Sequence, residues 1–401
     1  MDNLHAVRAM LFTGKGGVGK TTASAATALL AARRGIKTLV LSTDPAHSLA
    51  DALAAPLGPE PTEIDAGLFA QQVDTQRRFE QSWRDVQSWL LEVLDGCGVD
   101  PLEAEELTVL PGADEVLALL EVKAQLASSR FELVVVDCAP TAETLRLLAL
   151  PEALGWYLDR VFPAERRVVR SLRPVLSRVA GLPMPRERVF DAVELLHREL
   201  GEVRRLLVDP TCASVRLVLT PESVVLAEAR RTLTSLSLYG YRVDAVIANR
   251  VFPPGGDPWR AGWVAAQSRL LDEVHSSFAP LPVFTAPYQP VEPVGADALL
   301  NLAEEVYASS ENPFVLPTGP DPVTIERDGE EFEFVIALPH ADRSELDLVR
   351  RGDELVLTVG SYRRVLALPA ALRRCDITGA MLRAGRLRVR FRPDPKLWAR
   401  S

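Results

Sequence analysis

In this 401-residue chain the stretch with the clearest chemical potential is Gly14-Lys15-Gly16-Gly17-Val18-Gly19-Lys20-Thr21-Thr22. Gly14, Gly19, Lys20 and Thr21 satisfy the G-x-x-x-x-G-K-[ST] phosphate-loop pattern. The glycines let the backbone fold tightly and aim its N–H groups at phosphate oxygens. Lys20 would reach the outer phosphates and the Thr21 hydroxyl would ligate Mg²⁺. Lys15 is a second cation that the pattern does not require. It is either solvated or reaches across to phosphates held by a facing subunit, as an arginine finger supplied in trans does.

Two acids complete the candidate chemistry. Asp44 follows the apolar run 37–42, where it would orient the water attacking a γ-phosphate or accept its proton. The alternative for Asp44 is a turn aspartate before Pro45. Asp137 closes the apolar run 131–137 in Walker B form, placed to hold Mg²⁺ directly or through water. His47 is either a switch residue or a surface histidine.

The elements that must position these residues are an alternation of apolar strands and helices. Residues 7–12 read as a strand, 22–34 as an Ala/Leu-rich helix and 37–42 as a second strand. The runs 131–137, 215–220, 243–248 and 282–288 read as further strands. The helix start behind the loop favours an anion, and parallel sheets bind ligands at their carboxyl edge. Residues 56–129 and 151–207 read as mostly helical insertions, the first with a stripe of Trp83, Val86, Trp89, Leu90 and Val93 at core-facing spacing. The resulting expectation is an α/β protein with a doubly wound, mostly parallel sheet and a helical subdomain.

Composition bounds the rest. A chain of 401 residues is too long for one core. The net charge of −9 argues against broad nucleic-acid binding. Cys97, Cys138, Cys212 and Cys375 show no C-x-x-C spacing, which reads as reduced thiols without structural zinc. No apolar run approaches the roughly 20 residues of a membrane span, and the amino terminus lacks a signal pattern. A cytoplasmic protein is expected, connected to membranes only through a partner or client.

The loop resembles the deviant phosphate loop of the MinD/ParA/nitrogenase-iron-protein/ArsA group of dimeric ATPases. In that group the early lysine, matched here by Lys15, contacts the partner's nucleotide. The run 43–51, with Asp44-Pro45-Ala46-His47, is similar to switch I of the ArsA and tail-anchored-protein-targeting ATPases, and the resemblance gives Asp44 the catalytic role. Pro111-Gly112-Ala113-Asp114-Glu115 looks like the Pro-Gly-x-x-Glu element of the ArsA family. The run 137–146 resembles its switch II but carries Cys138, Ala142 and Glu143 where the family usually has Thr, Gly and His. Loss of that glycine restricts the backbone, which puts fast turnover in doubt but not nucleotide binding. The resemblance also implies adenine recognition by Asn249, a nucleotide-side contact from Glu222, and a base framed by Pro287 and Tyr288. After Arg250 the eukaryotic targeting ATPases carry a zinc-binding C-x-x-C that is missing here, so a dimer would form without zinc. In those ATPases the region matching 151–207 carries a Met-rich client groove, whereas only Met184 falls within it here.

Residues 311–321 hold three prolines and a glycine and read as a linker from an ATPase domain, 1–310. Beyond it, short alternating strands at 332–338, 354–359, 362–368 and 387–391 indicate a small β-sandwich over 322–392, with a tail at 393–401. That region resembles the α-crystallin domain of small heat-shock proteins. Three functions follow as expectations. The first is a homodimeric Mg²⁺-ATPase coupling ATP binding and hydrolysis to client handling or protein targeting. The second is a nucleotide-regulated holdase chaperone with slow or negligible turnover. The third, less favoured because four dispersed cysteines offer no evident thiolate triad, is an arsenite-efflux ATPase subunit.

Overall fold

The computed structural model describes residues 7–44, 48–73, 113–138, 187–315 and 321–398. His47, the Trp83–Val93 stripe, Pro111 and Gly112, the switch II residues Ala142 and Glu143, and Met184 lie outside the described residues.

An eight-stranded sheet organises residues 8–287, in the order β3-β4-β2-β5-β1-β6-β7-β8. β1 (Arg8–Thr13) pairs in parallel with β5 (Leu133–Asp137) and β6 (Ala213–Leu219). From this centre the sheet extends one way through β2 (Thr38–Ser42) and β4 (Leu68–Gln72), the other through β7 (Val243–Val251) and β8 (Val283–Pro287). These strands are buried because their sequences are nearly unbroken apolar runs, as parallel sheets covered by helices require. Leu39, Val40 and Leu41 are fully buried, each contributing about 1.5–3 kcal/mol. The expected doubly wound α/β sheet is therefore present.

One segment departs from the helical expectation for 56–129. Residues 62–72 form a hairpin of β3 (Thr62–Asp65) and β4, antiparallel, which widens the sheet. Pro56, Pro59 and Pro61 deny a helix its backbone donors here, and Gly67 takes φ +74° in the turn. The rest of the described part, α3 (Ala113–Ala127), is helical as expected.

α1 (Lys20–Arg33) packs behind the loop, and its small face of Ser24, Ala25, Ala28 and Ala31 is buried. α2 (Ser48–Leu53) follows β2, and α4 (Glu187–Val208) packs on α3, where Lys123 bridges Glu199 and Glu202. α5 (Ser223–Tyr239), α6 (Pro258–Phe278) and α7 (Ala296–Val306) cover the β6–β8 side. Arg216, in the middle of β6, is 2 % exposed, and four hydrogen bonds hold its guanidinium. It donates twice to Asp244, once to the Tyr307 hydroxyl and once to the Pro313 carbonyl. Burial disfavours its charge, but Asp244 and Tyr307 outweigh that and raise its pKa. Nearby Arg8 is lowered to about 10 by burial, with Arg216 adding to the effect and Asp244 opposing it.

The carboxyl-terminal part is all antiparallel. One sheet runs β14 (Cys375–Arg383), β15 (Arg386–Pro393), β10 (Glu331–Ala337) and β9 (Val323–Asp328), and the other runs β11 (Leu346–Arg351), β12 (Glu354–Val359) and β13 (Tyr362–Ala367). Their inner faces share Phe334, Ile336, Leu355, Leu357, Leu366, Val389 and Phe391, as a sandwich requires. β9 and β11 were not evident from the sequence because runs of charged residues break their alternation, and β14 is interrupted by a bulge between Ile377 and Gly379. The sandwich is bolted to α5. Leu238 belongs to its core, Arg364 donates to the Leu238 carbonyl, and Thr234 donates to the Pro339 carbonyl. Phe314, within the expected linker, is buried in the core of the large sheet.

Candidate functional site

The loop 14–19 leaves the carboxyl end of the central strand β1, where the strand order reverses direction, and runs straight into α1. Two glycines are demanded by close approach. A Cβ on Gly14 would stand 2.1 Å from the Val218 carbonyl oxygen of β6, and one on Gly19 would stand 2.3 Å from Asn249 Nδ2. Gly19 also has φ +90°, a region that side chains resist. The loop is thus seated between β6 and β7, not standing free. Lys20 is 7 % exposed, and its Nζ lies 3.4 Å from the Lys15 carbonyl oxygen.

Asp137 lies beneath the start of α1. It is fully buried, and neither carboxylate oxygen has a hydrogen-bond partner. Burial pushes its pKa up to about 7, and the charge of Asp44 adds to the rise. The hydroxyls of Thr21 and Ser24 and the charge of Lys20 oppose it, the hydroxyls lying close without making a full hydrogen bond. A buried, orphaned carboxylate costs free energy unless a cation or donor completes it. This donor set, a hard carboxylate beside the Thr21 hydroxyl, fits Mg²⁺.

Asp44 stands two residues beyond β2, next to this site. Its backbone N–H donates to Ser42 Oγ at 3.2 Å, and its carbonyl accepts from Gln72 Nε2 at 2.9 Å. Three further residues were not singled out in the sequence. The Ser48 hydroxyl lies 3.4 Å from Thr21 Oγ1, Thr43 donates its N–H to the Asp137 carbonyl at 3.0 Å, and Gln72 holds Asp44. Ser48 was hidden because a lone serine in a switch-like run carries no pattern of its own.

Lys15 is 39 % exposed, with Nζ 3.9 Å from Glu228 of α5. Glu222 occupies the N-cap of α5 and accepts from the Thr220 hydroxyl at 3.0 Å. Asn249 is 9 % exposed; Nδ2 donates to the Val18 carbonyl at 2.8 Å and Oδ1 accepts from the Arg250 N–H at 2.9 Å. One amide hydrogen and one lone pair remain for a ligand. Pro287 and Tyr288 end β8, and the Tyr288 ring stacks flat on Phe252 at 4.9 Å, with Trp259 and Trp263 alongside. The structure therefore gathers the loop, Asp44, Asp137 and Asn249 at one edge. Tyr288 belongs to an aromatic group with Phe252, Trp259 and Trp263, just beyond the ends of β7 and β8.

Among the described residues no helix is long and apolar enough to cross a membrane. Cys138 follows β5, Cys212 precedes β6 and Cys375 opens β14, so these three thiols stand in different parts of the fold.

Residues 7–308 match the family model for the anion-transporting ATPases, ArsA_ATPase, and residues 329–391 match the HSP20-like domain found in ArsA. An uncharacterized protein of Streptomyces coelicolor is 42 % identical over 98 % of this chain and 100 % of its own length. A Chlorobaculum tepidum protein, provisionally named an arsenical pump-driving ATPase, is 36 % identical over 91 % of each chain. A Mycobacterium tuberculosis protein, Rv2184c, is 36 % identical over 98 % of this chain and 97 % of its own length. A phosphate loop at the switch point of the sheet, a buried acid beneath it, and matches spanning both parts of the molecule lead to one conclusion: the chain belongs to the ArsA family of anion-transporting ATPases.

Proposed function

We propose that the chain is a Mg²⁺-dependent ATP hydrolase that works as a homodimer and couples the nucleotide cycle to the handling of a client protein in the cytoplasm. The observation that carries the ATPase reading is the unpartnered, fully buried carboxylate of Asp137 beside Thr21 and Lys20. Thr21 and Asp137 would hold Mg²⁺, the carboxylate either directly or through water. When bound, the ion offsets charge on the outer phosphates. The backbone N–H groups of Gly14, Gly16, Gly17, Val18 and Gly19 cradle the phosphates, and Lys20 neutralises them. The Thr22 hydroxyl adds a contact at the helix start. Asp44 orients the attacking water and takes its proton. Lys15 leaves Glu228 and reaches the triphosphate of the second copy. Asn249, Pro287 and Tyr288 frame the base, and Glu222 contacts the nucleotide side. In this reading residues 1–310 are the ATPase domain and 322–392 the sandwich that meets clients.

ATP turnover of Asp44→Asn tests it. Turnover should fall about 100-fold or more, as loss of a positioned base does, while ATP affinity stays near wild type. Turnover insensitive to that change leaves only a nucleotide-regulated holdase. Light scattering with ATP and Mg²⁺ should show a dimer, and Lys15→Ala should lower turnover without lowering affinity.

The names of several relatives favour a second reading, in which the ATPase drives an arsenical pump. Arsenite-stimulated turnover would establish it. Turnover indifferent to arsenite is expected, since the described cysteines form no thiolate cluster.

A further inference from the structure

Helix α6 turns a stripe of Leu270, Leu271, Val274 and Phe278 toward the large core. One turn earlier on that stripe the sequence has Gln267, which is 5 % exposed. A buried amide in an apolar row costs free energy unless both its ends are paired. Both are paired here, to one bend. Nε2 donates to the Arg250 carbonyl at 3.1 Å, and Oε1 accepts from the Phe252 N–H at 2.7 Å.

The bend is strained. Arg250 has φ +58°, which is rare for a residue with a side chain and persists only where surroundings impose it. On its other side the Tyr288 N–H donates to the Val251 carbonyl at 2.8 Å. The turn at Arg250 puts its own N–H on Asn249 Oδ1, which orients the amide so that Nδ2 meets the Val18 carbonyl. The same Nδ2 fills the place that a Gly19 side chain would take.

We propose that Gln267 is a positioning residue for the phosphate loop, acting through the Arg250 bend and Asn249 to hold the Val18 carbonyl turned away from the phosphate side. A carbonyl pointing into the cradle would repel phosphate oxygens, so the bracing sets the affinity of the loop for polyphosphates. The part that concerns nucleotide affinity rests on the ATPase reading above.

The test is Gln267→Leu in the full chain, a substitution that suits the apolar stripe and should keep the fold. Amide hydrogen exchange without nucleotide reads the brace directly. Exchange over residues 14–24 should quicken about tenfold, the scale of one or two lost hydrogen bonds, while β1, β6 and β7 stay protected. ATP affinity should weaken about tenfold. A second change, Arg250→Gly, should restore most of both, because glycine takes φ near +58° without enforcement. Loop exchange within twofold of wild type overturns the inference. So does quickening that extends equally through the strands, or a loss that Arg250→Gly leaves unrepaired. A wild-type chain that binds no ATP would instead refute the nucleotide reading, with the exchange measurement still deciding on Gln267.

Discussion

Asp137 and Asp244 are both buried carboxylates on strands of one sheet, the first at the carboxyl end of β5 and the second near the amino end of β7. Asp244 accepts two bonds from Arg216 and one from the Ser214 hydroxyl. Asp137 accepts none. The strands on either side are equally apolar, so burial does not distinguish them. What differs is whether the fold brings a cation into hydrogen-bond contact. For Asp244 it supplies Arg216, which also locks β6, β7, α1 and the chain after α7 together through Tyr307, Thr27 and Pro313. At the carboxyl edge it withholds a full partner, which leaves a site for a ligand. A satisfied buried charge is a structural fixture, whereas an unsatisfied one at a strand end marks a place for chemistry.

Asp244→Ala should have the largest effect. It leaves Arg216 buried without its counter-charge and should cost about 3–5 kcal/mol of stability in denaturant melts. A loss below about 1 kcal/mol would mean that the surroundings of Arg216 relax and the distinction is empty.

Asp137→Asn should act in the opposite sense. The folded pKa of Asp137 lies near 7, above its ordinary 3.8. Its contribution to stability is therefore complete below about pH 4 and lost as pH rises through 7. In EDTA at pH 8 the Asn variant should be more stable than wild type by roughly 1–4 kcal/mol, scaled from the shift, and its stability should lose the decline between pH 4 and 7. With Mg²⁺ and ATP added, wild type should gain thermal stability and the variant should not. An Asn variant that melts lower than wild type at pH 8 would show that Asp137 is satisfied after all.

The smallest effect sharpens the Asp244 side alone. Tyr307→Phe removes the hydroxyl shared by Arg216 and Thr27, at 2.9 and 2.8 Å. A loss of about 1 kcal/mol is expected, with ATP affinity unchanged. A change in affinity would show that the two sites communicate through α1.

How much of this could be read from the chain follows from the range of each signal. The phosphate loop, the strand before it and the helix after it are contiguous, so pattern and period reveal them together. Asp44 and Asp137 stood out in the sequence because one follows an apolar run closely and the other closes one. The hairpin at 62–72 was read as helix although three prolines argued against it, and the strands β9 and β11 were hidden by charges on their exposed faces. The pairings that set the site were not legible at all. Asn249 meets Val18 from 231 residues away, Arg216 meets Asp244 across two strands, and Gln267 grips a bend 17 residues earlier.

Composition and local spacing fix the loop, its helix and the strands that carry the acids, and with them the atoms proposed to bind phosphate and metal. Which buried charge is satisfied and which is left open follows from the folded arrangement alone. Pairing depends on where distant strands come to lie in register, and hydrogen bonds act over about 3 Å, a distance that no separation along the chain encodes.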